Sequence, residues 1–347
     1  MITWTLPSVV MNSKLDLTKD MTMDALTSQK VTFKVFRFNE ETDYLPYYNT
    51  YTLDVTHEEV VLDILNRIKW DHDGSLSYRR SCRHGICGVC SIKVNGKAIL
   101  ACKSRLFDLI NIFGAELVIE PLSTKRAIKD LIIDKKDFWD KHAEVKPFLT
   151  GEIEETPQSE HLVSPHDAEK LLEADYCIQC GACHYSCPAL AINEQFIGPA
   201  AFAAAYRFSA DVRDESPLDR LHIVNEEASG VWDCVKCMEC AEACPKEVNP
   251  IEKITKLHNM IFEANIAKNN VATRHAVGFA HSIAKHGLLD EGELVRYSEG
   301  NFGVLKHVPV ALKMFTKGKI VLPWNMPKAD KLDEIQKLIK SSSTVKF

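Results

Sequence analysis

The sequence has no uninterrupted apolar stretch long enough to cross a membrane; its most apolar run, Phe196 to Tyr206, falls well short of the roughly 18 residues a span requires. The opening MITWTLPSVV has neither a basic start nor a twin arginine, so no export signal is expected. Positive charge is not in excess: Lys+Arg 42 against Asp+Glu 48 give a net charge of -6. That balance excludes a nucleic-acid binder working by phosphate neutralisation. No G-x-G-x-x-G, P-loop or Ser-His-Asp signature marks a nucleotide, flavin or nucleophile site. Cysteine is missing before Cys82 and after Cys244, yet 12 cysteines lie between them. A secreted disulfide scaffold would be short and cysteine-dense throughout, so we expect a reducing, cytoplasmic setting with thiolates held by metal. With 347 residues, 46% hydrophobic and 26% charged, the chain has material for two or three domains with buried cores.

Residues 1–29 carry no sustained periodicity and read as a leader or arm. Val31, Phe33 and Val35 alternate with polar neighbours, as do Tyr51, Leu53 and Val55, with a connection ending in Tyr47-Tyr48-Asn49; the pattern predicts a hairpin. Thr56 and Glu59 form a capping box ahead of Val61, Ile64, Leu65 and Ile68, one apolar helix face. Asn95-Gly96, between Ile92/Val94 and Ile99/Cys102, is a strong two-residue hairpin signal. Leu117 to Glu120 adds a strand. From Lys125 the period becomes helical, with Ile128, Leu131, Ile132 and Phe138 as its apolar positions. Gly151 to Pro165 reads as an exposed connection, Pro199 to Phe208 as an Ala-rich helix, and Ile251 to about Lys285 as helix again. A polar hinge with Gly287, Gly292 and Gly300 follows, then five lysines without an acidic residue from Gly300 to Ala329, then an amphipathic helix on Leu332, Ile335, Leu338 and Ile339.

The cysteines fall into three groups. Cys82-x4-Cys87-x2-Cys90, with Cys102 beyond, has plant-type ferredoxin spacing for a [2Fe-2S] cluster. Gly85 and Gly88 would let the backbone approach it and turn N–H groups toward sulfur. Cys177-x2-Cys180-x2-Cys183-x3-Cys187-Pro188 and Cys234-x2-Cys237-x2-Cys240-x3-Cys244-Pro245 together give the two-cluster bacterial ferredoxin signature, a weak internal repeat. In that signature the last cysteine of each run serves the other cluster. One [4Fe-4S] set is therefore Cys177, Cys180, Cys183 and Cys244, and the second is Cys187, Cys234, Cys237 and Cys240, or [3Fe-4S] without Cys237. Zinc is the competing metal, but structural zinc prefers separated C-x2-C pairs. The 13 histidines, including His84, His184, His222, His258, His275 and His281, show no paired metal spacing and read as structural.

From Val31 to about Ile254 the chain resembles the iron-sulfur subunit of succinate dehydrogenase and fumarate reductase. The resemblance is carried by Ser81-Cys82-Arg83-His84-Gly85-Ile86-Cys87-Gly88-Val89-Cys90, Ile119-Glu120-Pro121-Leu122, Lys129-Asp130-Leu131, Val145-Lys146-Pro147-Phe148-Leu149, and Gly198-Pro199-Ala200-Ala201 before Ala205-Tyr206-Arg207-Phe208. It implies an α+β protein: a β-grasp [2Fe-2S] domain at 30–125, an α-helical two-cubane ferredoxin-like domain at 126–260, and a helical extension at 261–347 for partner docking. It implies an electron relay in respiration and the tricarboxylic acid cycle, between an FAD-containing flavoprotein subunit and a quinone-reactive partner, with no catalytic residue in this chain.

Two departures matter. The position matching Cys237 is apolar in familiar members, whose third cluster is [3Fe-4S]; Cys237 supplies the missing ligand. Pro188 to Asn193 and Val235 stand where familiar members carry tryptophan and histidine contacts to quinone. Together with His286-Gly287 and Leu312 to Lys319, similar to ends of heterodisulfide-reductase-like subunits, these imply a cysteine-rich partner of that type in place of a membrane anchor. The expected location is the inner face of the cytoplasmic membrane, held through partners. Two alternatives remain: a thiol-linked fumarate reductase or heterodisulfide-type subunit, and a zinc-stabilised adaptor.

Overall fold

The computed structural model describes residues 28–151, 160–319 and 326–342. Most of the leader, the middle of the 151–165 connection and residues 320–325 of the lysine-bearing segment lie outside the described residues.

Period-2 alternation builds the first domain. β1 (Gln29–Arg37) pairs antiparallel with β2 (Tyr47–Val55), and its inward Val31, Phe33 and Val35 are fully buried. Tyr47 to Asn49, expected as connection, begin β2: this is the edge strand, where one side is solvated and the apolar signal is weak. α1 (Val61–Arg67) buries Val61, Ile64 and Leu65 as its pattern requires, and Ile68 continues the stripe. Of the Thr56/Glu59 box one half forms, Glu59 accepting from Thr56 N–H at 2.7 Å, and it lies one turn early; Asp63 meets Val60 N–H at 3.1 Å at the helix start. β3 (Ser91–Val94) and β4 (Lys97–Leu100) close around Asn95-Gly96, both at positive φ. After α2 (Leu106–Phe113), β5 (Glu116–Glu120) enters between β1 and β3, parallel to the first and antiparallel to the second. The resulting order β2-β1-β5-β3-β4 is a mixed sheet with α1 over its core.

The expected helix from Lys125 is corrected. β6 (Ala127–Lys129) and β7 (Ile132–Ile133) form a small hairpin first, and helix begins only with α3 (Lys136–Glu144). Asp130, left-handed at φ 48, explains the hairpin: its carboxylate accepts from Phe38 N–H, Ser77 N–H and the buried Arg37 guanidinium. Arg37 also pairs with Asp73, so one ionic knot ties the sheet to the segment leading into Cys82.

The second part is helical: α4 (Pro165–Asp175), short α5 (Ala182–Tyr185) and α6 (Pro188–Ile192), α7 (Pro199–Ser209), α8 (Pro217–Val224), short α9 (Glu239–Glu242) and α10 (Pro250–Glu263). Phe202, Ala205, Val224, Leu257 and Ile261 form its core. Arg220, 1% exposed, donates to the carbonyls of Val145, Lys146 and Phe148 and to Asp214, clamping the 145–150 loop onto α8. The expected single helix after Ile251 is two, α10 and α11 (Val271–His286). Asn265 turns left-handed at φ 55, and Asn270 caps α11 by accepting from Thr273 N–H at 2.9 Å. The hinge is also narrower than expected: Gly292 is helical within α12 (Glu291–Phe315), and only Gly287 and Gly300 adopt positive φ, Gly300 as a kink inside α12. α13 (Leu332–Ser342) folds back on α11, with Gln336 donating to Ala284 carbonyl.

Candidate metal centres

The Cys82 loop hangs between α1 and β3, turned by Arg83 (φ 59), Gly85 (φ 68) and Gly88 (φ 70). His84 and Cys87 N–H groups donate to Cys82 Sγ at 3.4 and 3.3 Å, and Gly85 N–H donates to Cys102 Sγ at 3.2 Å. These backbone dipoles stabilise negative sulfur and pull the Cys82 thiol down to about 6. Cys90, on the core side, is pushed up to about 12 by burial, and its sulfur lies against that of Cys102. Gly85 serves as the sequence suggests. Gly88 has a different reason: a Cβ there would stand 2.9 Å from Cys180 Cα and 2.9 Å from Ile178 carbonyl. The first cysteine loop presses directly on the second.

The second and third loops repeat one backbone course. Gln179 (φ 54) and Gly181 (φ 89) in one match Lys236 (φ 52) and Met238 (φ 69) in the other, and each triplet ends in a one-turn helix, α5 or α9. Cys177, Cys180, Cys183 and Cys244 line one small cavity, with Val248 N–H donating to Cys244 Sγ at 3.4 Å. Cys187, Cys234, Cys237 and Cys240 line another, whose remaining lining is apolar. Cys187 and Cys244 have thus exchanged loops. Burial raises the thiols of Cys177, Cys180, Cys187 and Cys234, raises fully buried Cys183 much further, and pushes Cys240 up to about 12. Such sites favour thiolate only when a cation compensates. Sulfur-only donor sets of four with no carboxylate or imidazole lining suit iron-sulfur clusters or zinc, so the residues present fit the expected groups. Cys183 and Cys240 pack together with Phe138 and Ala200, which makes the three sites contiguous: first to second through Gly88 and Cys180, second to third through Cys183 and Cys240.

Several supporting residues had no local sequence signal. Lys135 Nζ donates to the carbonyls of Gln179 and Cys180 at 3.1 and 3.0 Å in the cleft between the first and second loops; burial lowers it, opposed by the nearby thiols. His184, 3% exposed, meets Asp137 at 3.2 Å and is lowered to about 4 by burial. His258 stacks on Trp232 with ring centroids 4.5 Å apart, its Nε2 meets Val231 carbonyl at 3.1 Å, and burial takes it to about 4. His84 is exposed beside the first loop. At the third site Cys237 is exposed, and so are Val235 (66%), Met238 (51%) and Ile192 (89%).

Residues 32–140 match the family described as a 2Fe-2S iron-sulfur cluster binding domain, and residues 173–248 match the 4Fe-4S dicluster domain. The chain is 38% identical over 236 residues to the succinate dehydrogenase iron-sulfur subunit of Coxiella burnetii, covering 67% of this chain and 97% of that one. It is 36% identical to the fumarate reductase iron-sulfur subunit of Haemophilus influenzae, covering 64% of this chain and 90% of the relative. In fold it is similar to a chain of the Mycobacterium smegmatis Sdh1 complex in the apo form (TM-score 0.61, 23% identity, 70% of this chain and 99% of that chain).

Proposed function

The chain belongs to the family of iron-sulfur subunits of succinate dehydrogenase and fumarate reductase, and from that premise we propose which residues hold its clusters and what meets the two ends of its relay. Its work is electron transfer within an oxidoreductase complex, not catalysis at a substrate. The observation that carries the finer reading is the gathering of all 12 cysteines into three sets of four that touch in series. The proposed sets are Cys82, Cys87, Cys90 and Cys102 for [2Fe-2S]; Cys177, Cys180, Cys183 and Cys244 for [4Fe-4S]; and Cys187, Cys234, Cys237 and Cys240 for a second [4Fe-4S]. Loss of the Cys237 ligand would leave [3Fe-4S] at the last position. When bound, these groups take up and release single electrons; the protein supplies spacing, N–H donors and exclusion of water.

The proposed domains, 30–125, 126–260 and 261–347, follow from where these sets sit. Exposed Ile86 (65%) and Val89 (38%) beside the first site support docking of an FAD-containing flavoprotein there. At the far end the apolar rim of Ile192, Val235 and Met238 around exposed Cys237 supports a protein partner covering the third site. We assign that partner to the cysteine-rich, heterodisulfide-reductase-like type, with quinone reached through it. Phe302, Leu305, Leu312 and Phe315, exposed on α12 among lysines, offer a partner a further apolar surface. Among the described residues no helix is long and apolar enough to cross a membrane, which fits attachment at the inner membrane face through partners.

Anaerobic purification from native extract tests the reading. Co-purification of a flavoprotein and a cysteine-rich subunit, with succinate-driven quinone reduction, is expected. A multi-span cytochrome would restore the membrane-anchored arrangement, and activity with coenzyme thiols would assign the thiol-linked enzyme. A strong three-iron paramagnetic signal from the oxidised protein would overturn the second [4Fe-4S]. Cys244→Ser should disturb the Cys177 set and spare the Cys234 set; the reverse would refute the exchanged ligands.

A further inference from the structure

Among the described residues, one partly buried cluster of metal-ligating side chains outside the cysteine sets stands at the corner between α11 and α12. His286 is the last residue of α11, Asp290 caps α12, and Glu293 lies in its first turn. One ligand atom from each lies within 4.8 Å of the others. His286 is 9% exposed, yet neither ring nitrogen has a hydrogen-bond partner, and Glu293 Oε2 is also buried and unpartnered. A buried polar atom left unpaired has given up its hydrogen bonds to water without a replacement, so three in one place call for an explanation.

The spacing supplies one. His286 Nε2 and Glu293 Oε2 are 3.7 Å apart, outside the ~2.7–3.2 Å range of a hydrogen bond. Ligands at roughly 2.0–2.1 Å from a tetrahedral ion stand about 3.3 Å from one another, so a small side-chain shift would bring both onto one cation. The surroundings hold the donors in place. Lys285 Nζ donates to Glu293 Oε1 at 3.2 Å, which fixes the carboxylate with Oε2 toward His286. Arg296 and His281 stand farther off on the same Oε1, at 4.0 and 3.6 Å. Asp290 is positioned twice, its N–H donating to Ser282 Oγ at 2.7 Å and its Oδ1 accepting from Glu293 N–H at 3.0 Å.

We propose that His286, Asp290 and Glu293 form a mononuclear site for a divalent cation of the zinc class, with water as the remaining ligand, distinct from the cysteine sets. Its location gives it a structural task. Ala329 N–H donates to His286 carbonyl at 2.9 Å, and a Cβ on Gly287 would stand 2.6 Å from Ala329 Cβ and 3.1 Å from Ile335 Cδ1. The ion would therefore pin the α11–α12 corner on which α13 rests, stiffening the surface offered beyond the third site.

The test uses the cluster-loaded complex, isolated without oxygen, equilibrated with chelator-buffered zinc and passed through a desalting column. Zinc and iron are counted together. One zinc per chain is expected, falling to none in His286→Asn and Glu293→Gln while iron is unchanged. Zinc retained equally in both variants, or none in the parent, overturns the site. Zinc-edge absorption on the parent protein needs no variant: a shell of nitrogen and oxygen with imidazole scattering is expected, and sulfur scatterers would show that the ion sits on cysteines instead. Hydrogen exchange adds a second such readout, with amides around 284–291 and 329–336 slowing when zinc is added; unchanged rates overturn the structural task.

Discussion

The Cys82 loop and the paired Cys177 and Cys234 loops hold sulfur in opposite surroundings. The first hangs on a sheet whose interior is filled by Val31, Phe33, Ile64 and Leu117; of its four cysteines Cys90 belongs to that apolar cluster and Cys102 packs against it. Backbone N–H groups point at the sulfurs of Cys82 and Cys102 and draw the Cys82 thiol down, and only Cys90, on the core side, is pushed up by burial. In the helical part the order is reversed. Cys183 and Cys240 are themselves core residues, packed with Phe138, Ala200 and Ile251, and burial drives their thiols toward the neutral form. One cluster decorates a finished domain, whereas two others are the filling of theirs. Metal affinity and folding are then one equilibrium in the second case and nearly separate in the first.

The largest effect that could break this contrast is removal of iron. Chelation under reducing conditions should abolish exchange protection across 165–263 while leaving the 29–120 sheet protected, read by peptide-resolved hydrogen exchange. Equal loss in both halves would mean that the sheet also needs its cluster. Next in size is Arg220→Ala, which strands buried Asp214 and frees the 145–150 loop. Uncovering a buried pair costs about 3–5 kcal/mol, so denaturant unfolding of the helical half should shift by that amount while the sheet transition stays put.

Gly88→Ala acts where the two environments meet. A methyl group at φ 70, 2.9 Å from Cys180, must push the loops apart at a cost of roughly 1–3 kcal/mol. Reduction of the second and third sites in rapid mixing should slow, with the first site still reducible; unchanged rates would show that Gly88 is not the contact between them. The last effect is in pH. His184 and His258 sit near 4 when folded, below the ~6.5 of an unfolded histidine, so their contribution is full above about pH 6.5 and is lost as pH falls toward 4. Thermal midpoints of the helical half should decline across that window, and His258→Gln should flatten the decline.

Local chemistry made the site legible. The Asn95-Gly96 turn and the α1 stripe each depend on residues a few positions apart and appear as the sequence implies, and the cysteine spacings lie within the stretches that match the 2Fe-2S and 4Fe-4S dicluster families. What could not be read is what depends on distant partners. Ile128, Leu131 and Ile132 have spacing compatible with a helix, but Asp130 is claimed by Arg37, Phe38 and Ser77, and that prevents one. Arg220 looks like any surface arginine until α8 brings it against Val145 to Phe148. Tyr47 to Asn49 look like loop because an edge strand needs only one apolar side. His286 and Glu293 show no spacing of a known metal motif and meet only because α11 and α12 turn at Gly287.

The placement of β5 also sets an order of events during synthesis. Residues 32–35 pair with 116–119, so the sheet's middle strand is missing until Glu120 has left the ribosome. Every thiol of the first loop, Cys82 through Cys102, is exported before that strand arrives. The nascent domain therefore passes through a stage in which its four sulfurs are available on an open scaffold with four of its five strands made.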